Sequence, residues 1–284
     1  MSSLLNRDKL DELFALYHHR AFVHPDPLEF LYDYTDLQDR EIVALIASSL
    51  AYGRVAQILK STSYVLQKLG RSPFSFLQKS TRKKLLSLFS DFKHRFTTGE
   101  ELALVLWGLK KIIEEYGSLH NCFCTALVDE DDTILPALTR FMERFREYMP
   151  ITRDSLLPYP EKGSACKRLN LFLRWMVRQD NVDPGGWNRV SPAKLIVPLD
   201  THMYKISRMF HLTKRRHPDM RTAIEITHAF RKIVPNDPIR YDFVLTRLGI
   251  RREIEPAAFL KACRSGQMKR SCPQGFADSV AFNK

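Results

Sequence analysis

The feature that most constrains this fold is the spacing of its apolar residues, which recur every three or four positions as an α-helix requires. Residues 8–20, for example, place Leu10, Leu13, Phe14 and Tyr17 on one face. No run of residues alternates between polar and apolar in the manner of a β-strand. The sequence therefore predicts a mainly α-helical fold. Further helices are predicted over residues 39–52, 55–69, 97–116, 132–148, 163–179, 201–212, 219–233 and 238–248.

Two stretches interrupt the helical periodicity. Residues 150–162 are rich in proline and must form a connection, and residues 180–198 form a loop with Pro184, Gly185 and Gly186. A loop of that length inside a compact domain is usually functional. We therefore expect one unit with two helical lobes and a central cleft. The expected parts are an N-terminal lobe over 30–150, a hairpin-helix lobe with the active site over 151–250, and a C-terminal extension over 251–284.

The chain of 284 residues carries a large positive charge, because its 44 lysines and arginines exceed its 32 aspartates and glutamates by 12. Such an excess favours a polyanionic partner, and double-stranded DNA is the partner that we expect. The charged start, MSSLLNRDKLDEL, does not resemble a signal peptide. No run approaches about 18 uninterrupted apolar residues, so we predict no membrane span. We expect a cytoplasmic monomer.

The five cysteines give no pattern typical of a metal site. One residue separates Cys122 from Cys124, eight separate Cys263 from Cys272, and Cys166 stands apart from both pairs. Neither pair is completed to four ligands by a nearby histidine or cysteine. The odd number and irregular spacing indicate reduced thiols. We therefore expect neither a metal nor a cofactor.

Candidate phosphate-binding residues lie along the helix that is predicted to begin at residue 163. Gly163 and Ser164 lie at its start, where glycine permits a tight turn and free N–H groups bind phosphate. Lys167, Arg174 and Arg178 are seven and four residues apart and share the face opposite to the apolar one. The alternative for this face is a solvated basic surface on an amphipathic helix.

The stretch IVPLDTHMYKI, residues 196–206, leads from an extended apolar segment into the next predicted helix. Asp200 falls at the N-cap of that helix, where backbone N–H groups would bind its carboxylate. Most aspartates at such positions are caps alone. The apolar residues before Asp200 favour an interior position, however, and a buried carboxylate near a basic helix is a candidate for chemistry.

The segment VPLDTHM resembles part of the helix-hairpin-helix DNA glycosylase superfamily. In its bifunctional members, a helix after a DNA-binding hairpin carries a lysine nucleophile, and a loop then leads to an aspartate at the next helix start. The resemblance implies that Lys167 is the nucleophile and Asp200 the catalytic aspartate. Their separation of 33 residues (200 − 167) is similar to that of the archaeal 8-oxoguanine glycosylase branch. In that branch a second basic residue follows the lysine by two turns, as Arg174 does here.

The chain departs from that superfamily just before the lysine. The superfamily hairpin usually has two glycines, whereas LPYPEKGSACK has one, four residues before Lys167. Lys162 therefore stays open as an alternative nucleophile. The C-terminal four-cysteine loop of the endonuclease branch is absent. The whole chain also resembles an uncharacterised bacterial family through the blocks LAYGR, RWMVR, DPGGW, PLDTHM and DPIRYDF.

Further DNA contacts are predicted in two places. DREIVALIASSLAYGRVAQIL is similar in character to a helix pair of the superfamily whose bend carries a residue that probes the DNA stack, and Tyr52 and Arg54 occupy that bend. The second place is the basic segment 205–221, whose side chains suit phosphate contacts or else form a solvated charge run. Its lysines and arginines are Lys205, Arg208, Lys214, Arg215, Arg216 and Arg221.

Together these patterns favour a base-excision DNA glycosylase in which Lys167 attacks the sugar C1′ and β-elimination then cuts the strand. Tyr52, Trp175 and Trp187 are candidate stacking partners for a flipped base, although we expect Trp175 in the core. The main alternative is a non-catalytic DNA- or RNA-binding protein on the same fold. An enzyme acting on a modified nucleoside in RNA is a third possibility.

Overall fold

The computed structural model describes residues 7–149 and 156–250, with side chains up to residue 247. Over these residues the fold is mainly α-helical, as predicted, and its small sheet consists of two antiparallel strands, β1 (Lys93–His94) and β2 (Thr97–Thr98). The α-helices are α1 (Arg7–Tyr17), α2 (Leu37–Ser49), α3 (Val55–Leu69), α4 (Pro73–Gln78), α5 (Arg82–Leu88), α6 (Gly99–Tyr116), α7 (Leu119–Thr125), α8 (Leu135–Tyr148), α9 (Lys167–Val177), α10 (Thr201–Met209), α11 (Met220–Arg231) and α12 (Asp242–Ile250). Short 3-10 helices lie at Arg20–Phe22, Pro27–Asp33, Pro160–Lys162 and Pro192–Lys194.

Local capping chemistry determines where the longer helices begin. The hydroxyl of Thr98 accepts a hydrogen bond from the amide of Glu101, and the Glu101 carboxylate accepts one from the Thr98 amide at 2.7 Å. This reciprocal capping box fixes the start of α6. The helix begins two residues later than predicted because Thr97 and Thr98 pair with β1 instead.

Three short helices, α4, α5 and α7, were not predicted. Each has only six or seven residues, too few for apolar periodicity to be recognised. The hydroxyls of Ser72, Thr81 and Ser118 cap them by accepting backbone hydrogen bonds. The missed signal was therefore a capping residue before each helix.

The last predicted helix begins later than its sequence suggests. The DPI pattern predicts a helix from Pro238 with Asp237 as its cap. In the structure, residues 237–241 form turns and α12 begins at Asp242. Asp237 instead binds the guanidinium of Arg178, with Oδ2 3.1 Å from the Nη2 atom. A buried ion pair has overridden the local capping preference.

Helix α2 is the centre of the core. Its residues from Ile42 to Ala47 are at most 1% exposed, and it packs against α9 and the 3-10 helix that begins at Pro27. Its buried carboxylate, Glu41, accepts hydrogen bonds from the amides of Leu119 and His120 and from Trp187 Nε1. Burial raises the pKa of Glu41 to about 7. The carboxylate thereby ties α2 to α7 and to the loop 180–198.

The loop 180–198 is packed into the core over much of its length. Trp187 is fully buried, with its ring centroid 5.1 Å from that of Phe172 and 5.3 Å from that of His120. The interpretation of Trp187 as a stacking partner for a flipped base is therefore wrong. Trp175 is 1% exposed and belongs to the core, as expected. Over the described residues, no helix has the length and apolar character that crossing a membrane requires.

Candidate active site

Helices α9 and α10 bring Lys167 and Asp200 together at their N-terminal ends. Lys167 is the first residue of α9, and Asp200 is the N-cap of α10, where its Oδ1 accepts a hydrogen bond from the Met203 amide at 2.8 Å. The Lys167 Nζ lies 3.6 Å from the other oxygen, Asp200 Oδ2. These distances confirm the predicted arrangement, in which Asp200 caps a helix and also faces Lys167.

The alternative lysine lies outside this arrangement. Lys162 is exposed on a 3-10 turn, with its ammonium 5.9 Å from the centroid of the Tyr159 ring. It does not line the cleft that Lys167 and Asp200 share. Of the two candidate nucleophiles, the geometry favours Lys167.

The cleft is small and contains charges of both signs. Its volume is about 90 Å³, enough for roughly three water molecules at about 30 Å³ each. Ligand pockets usually measure roughly 300–1,000 Å³, so a nucleotide could enter only if the walls moved. Three basic and three acidic residues line it with apolar neighbours. The lining is Asp26, Leu28, Lys167, Leu171, Arg174, Trp175, Pro198, Asp200, Asp242, Phe243, Thr246 and Arg247.

Arg174 and Arg178 are buried, so they lie neither on the predicted phosphate-binding face nor on the solvated basic face that was the alternative. They are only 3% and 5% exposed. Arg174 donates to both oxygens of Asp183, at 3.2 and 3.0 Å, and to Asp242 at 2.7 Å. Burial alone would lower the pKa of Arg174, but the two carboxylates outweigh it and raise that pKa. Arg178 binds Asp183, Asp237 and Asp180 in the same way.

This ion-pair network explains why the sequence pattern did not predict the burial of these arginines. Their guanidinium donors are taken up by carboxylates from the loop 180–198 and from the segment that leads into α12. A solvated face and a buried, fully paired face have the same helical spacing, so the pattern in α9 alone could not distinguish them. We therefore leave Arg174 and Arg178 out of the surface offered to DNA.

Asp242 forms part of the cleft wall and has one unsatisfied oxygen. Its Oδ2 accepts the bond from Arg174, whereas its buried Oδ1 has no hydrogen-bond partner among the described residues. Burial raises the pKa of Asp242 to about 6, against the lowering effect of Arg174, and the nearby Asp200 raises it further. The cleft therefore contains one carboxyl group, that of Asp242, whose pKa is shifted towards neutral pH.

Gly163 and Ser164 form a turn before α9 and do not start the helix, which begins at Lys167. The Gly163 amide donates to the Pro160 carbonyl at 3.0 Å, and its carbonyl accepts from the Met220 amide at 3.1 Å. Ser164 forms an isolated bridge with Asp219. The predicted phosphate-binding site, formed by free N–H groups at a helix start, is thus not present at Gly163. The turn is instead hydrogen-bonded directly to the start of α11.

The predicted basic segment lies beside that turn. The Arg208 Nη1 atom donates to the carbonyls of Lys214 and Arg215, at 2.6 and 3.1 Å, which holds the loop after α10 against the helix. Arg215 is half-buried and pairs with Asp219, with Nη2 2.9 Å from Oδ2. The exposed cations of the segment are Lys205, Arg208, Lys214, Arg216 and Arg221.

Tyr52 and Arg54 lie at the bend between α2 and α3, as predicted. Arg54 is exposed and precedes the first residue of α3. Tyr52, however, is half-buried, and its hydroxyl donates to the His94 carbonyl at 2.8 Å and contacts the Thr97 hydroxyl at 2.7 Å. These bonds hold Tyr52 in place beneath the small sheet.

Two charged residues of the cleft, Asp26 and Arg247, were missed because they come from distant parts of the chain. Asp26 lies before the 3-10 helix at Pro27, and Arg247 lies in α12. The Arg247 Nη2 atom is 2.9 Å from Asp26 Oδ2. Nothing in either local sequence indicates this pairing. No group of three or more histidine, cysteine, aspartate or glutamate side chains suited to a metal occurs within 7–149 and 156–250. Cys263 and Cys272 lie outside these ranges.

The fold and cleft define a mainly helical protein with a lysine–aspartate pair at the start of two helices. The chain belongs to a family described as protein of unknown function (DUF2400), whose model matches residues 26–251. No curated protein and no solved structure matches the chain. The resemblance to an uncharacterised family is confirmed, while the resemblance to DNA glycosylases stays a prediction.

Proposed function

We propose that this protein is a DNA glycosylase with lyase activity and that Lys167 is its nucleophile. The observation that carries the proposal is the approach of Lys167 Nζ to Asp200 Oδ2, at 3.6 Å, in a cleft formed by residues far apart in the chain. Attack on a sugar C1′ needs a nucleophilic amine and a nearby carboxylate, and the cleft wall provides both groups.

Each group would have a defined role. The Lys167 ammonium loses a proton, and its nitrogen forms a bond to C1′ while the glycosidic bond breaks and the base leaves with a proton. Asp200 stabilises the positive charge that develops on the sugar. A proton then moves from the nitrogen to O4′ as the ring opens, which gives a Schiff base between Lys167 and C1′. β-Elimination removes a proton from C2′ and breaks the bond from C3′ to its phosphate oxygen, and water finally hydrolyses the Schiff base to release Lys167.

The surroundings of the cleft support a nucleic-acid substrate. The turn at Gly163 and Ser164 precedes α9, and the Gly163 carbonyl accepts a hydrogen bond from the Met220 amide. The exposed cations of the basic segment lie before and after Met220 in the sequence. Such cations would bind phosphates on either side of the target nucleotide. Because the cleft is narrow, the target must be flipped from the duplex while the cleft walls open.

The test is release of base and cutting of the strand on a panel of duplexes that each carry one damaged base. Wild-type protein and K162Q should both act on at least one duplex, whereas K167Q should lose both activities. Equal activity of K167Q and wild type would contradict the proposal. Duplex binding without any reaction would favour the alternative, a non-catalytic nucleic-acid-binding protein.

A further inference from the structure

The small sheet presents a bare aromatic ring at its turn. Strands β1 and β2 are joined by Arg95 and Phe96, and Phe96 is 72% exposed. The other large hydrophobic residues that are exposed in the described ranges reach at most 52%. Most of the Phe96 ring is therefore available to contact a partner without any rearrangement of the core.

The base of this hairpin is rigidly held. His94 and Thr97, which flank the turn, are both fully buried. The His94 ring lies 2.9 Å from the Ser61 hydroxyl and 3.1 Å from the Tyr52 carbonyl, while the Tyr52 hydroxyl binds back to the hairpin. A rigidly held hairpin with an exposed aromatic residue at its tip is suited to inserting that residue into a partner.

The turn itself has a demanding geometry. Arg95 adopts a left-handed conformation with φ 53°, which is unfavourable for a residue with a side chain. Its side chain lies against Gly53, where a Cβ atom would come within 2.8 Å of Arg95 Cδ. Gly53 itself has φ 98°. The bend between α2 and α3 is therefore shaped to accept this turn.

The tip carries positive charge. Lys93, Arg95 and Arg54 are exposed on the hairpin or the adjoining bend, and the Arg95 guanidinium lies 5.4 Å from the centroid of the Phe96 ring. Asp91 and Glu100 are exposed outside the two strands. An aromatic ring among cations is complementary to stacked bases with flanking phosphates.

The hairpin is also connected, through Tyr52, to α9, the helix that begins with Lys167. The Arg168 guanidinium lies 5.0 Å from the centroid of the Tyr52 ring and donates to the Ser49 carbonyl at 2.8 Å. Arg168 follows Lys167 directly in α9. Tyr52 therefore contacts both the hairpin that carries Phe96 and the helix that carries the candidate nucleophile.

We propose that Phe96 inserts into the base stack of duplex DNA beside the nucleotide that enters the cleft. Apolar side chains that wedge between base steps unstack them, and the ring would fill the space that the flipped nucleotide leaves. This inference rests on the proposed function for its substrate. It replaces the predicted probing role of Tyr52, whose hydroxyl is bonded to the hairpin.

The test uses a 25-base-pair duplex that contains one stable abasic-site analogue with 2-aminopurine beside it. Wild-type protein should bind the duplex and raise the 2-aminopurine fluorescence because the neighbouring base is unstacked. F96A should bind roughly tenfold more weakly and lose that rise. In F96W, the fluorescence of the introduced indole should be quenched when the protein binds the duplex. The matched control is L16A, because Leu16 is the next most exposed hydrophobic residue, in α1.

The outcomes separate this inference from the proposed function, since neither measurement requires catalysis. F96A should unfold at the wild-type temperature, because the ring makes little contact with the core. Wild-type affinity and fluorescence in F96A, or an unquenched indole in F96W, would overturn the inference even if base release occurs. Fluorescence changes as expected, without base release on any duplex, would support the inference and remove the proposed enzyme activity. Failure of wild-type protein to bind the duplex would overturn both.

Discussion

Asp200 has two contacts that can be separated by one substitution. Its Oδ1 accepts the Met203 amide as a helix cap, and its Oδ2 faces the Lys167 ammonium. Asparagine caps a helix about as well as aspartate does but carries no charge. We predict that D200N keeps the wild-type unfolding temperature and lowers the single-turnover rate of base release by roughly a hundredfold, the scale of losing one preorganised charge.

The control for this substitution is a cap that faces no lysine of the cleft. Asp219 caps α11 in the same manner, by accepting the Thr222 amide at 2.8 Å. D219N should leave the rate of base release near that of the wild type. Wild-type activity in D200N would reduce Asp200 to a cap and remove it from the proposed mechanism.

The raised pKa of Asp242 gives a pH dependence of known sign. Burial moves this pKa from 3.8 to about 6 in the folded protein. A carboxyl whose pKa is raised by folding stabilises the fold below its unfolded pKa, and that contribution is lost as the pH rises through about 6. Asparagine does not titrate, so the stability of D242N relative to wild type should increase between about pH 5 and 8, by about 1.4 kcal/mol, because only the one pH unit between 5 and the folded pKa remains to contribute.

Urea unfolding of wild type and D242N at both pH values measures this change. D219N is again the control, because the pKa of Asp219 is shifted in the opposite direction from that of Asp242. Hydrogen bonding from the Thr222 amide helps to lower the pKa of Asp219 to about 2. Its contribution is lost only in acid, and the stability difference between D219N and wild type should be constant from about pH 5 to 8. A constant difference for D242N as well would contradict the assigned shift.

At the scale of elements, one hydrogen bond to a buried carboxylate helps to hold the loop 180–198 in the core. Trp187 Nε1 donates to Glu41 Oε1 at 2.9 Å. We predict that W187F, which replaces the indole by a smaller phenyl ring, lowers the free energy of unfolding by about 1–3 kcal/mol, because the buried Glu41 carboxyl loses a donor and some packing is lost. The half-buried Trp107 offers the matched control W107F, which should change stability by less than about 0.5 kcal/mol. Equal effects of the two substitutions in urea unfolding would show that the Glu41 bond is unimportant.

Elements differ in how far the sequence could predict them. The apolar periodicity identified α1, α2, α3, α6, α8, α9, α10 and α11, since each buries one stripe or, for α2, nearly every side. The short helices and the late start of α12 escaped, because caps and ion pairs outweighed periodicity there. The burial of Arg174 could not be predicted from α9, because Asp242 lies 68 residues further along the chain.

The same limit applies to the candidate site. Lys167 and Asp200 were identified because the segment VPLDTHM resembles part of the DNA glycosylase superfamily, and because apolar residues lead into the cap at Asp200. Asp26 and Arg247 meet across 221 residues without such a signature. Phe96 was also overlooked, because a single aromatic residue in a short hairpin has no periodic pattern. The sequence thus indicated Lys167, Asp200 and Arg174 but not Asp26, Arg247 or the exposed ring.

At the scale of the whole molecule, the excess of 12 positive charges predicts binding to duplex DNA that weakens steeply with salt. The logarithm of the affinity should fall with the logarithm of salt concentration, with a slope of about −0.9 for each phosphate neutralised. We predict that K205A/R216A makes this slope shallower by roughly 0.9–1.8, since one or two phosphate contacts are lost. Binding titrations between about 50 and 200 mM salt give the slope.

The control removes the same charge from another part of the surface. Lys111 and Arg144 form surface ion pairs in α6 and α8 with Glu114 and Glu147. K111A/R144A should keep the wild-type slope. If both double variants change the slope equally, binding depends on net charge alone and the basic segment is not the contact surface.

The central claim is that Lys167 is the nucleophile of the cleft, and borohydride trapping tests it most directly. The protein is incubated with a duplex that contains an abasic site, the Schiff base is reduced, and the adduct is digested with trypsin. Because trypsin does not cut after a modified lysine, an adduct on Lys167 should give the peptide GSACKR with the added sugar remnant. An adduct on Lys162, on any other residue, or no adduct at all would contradict the claim.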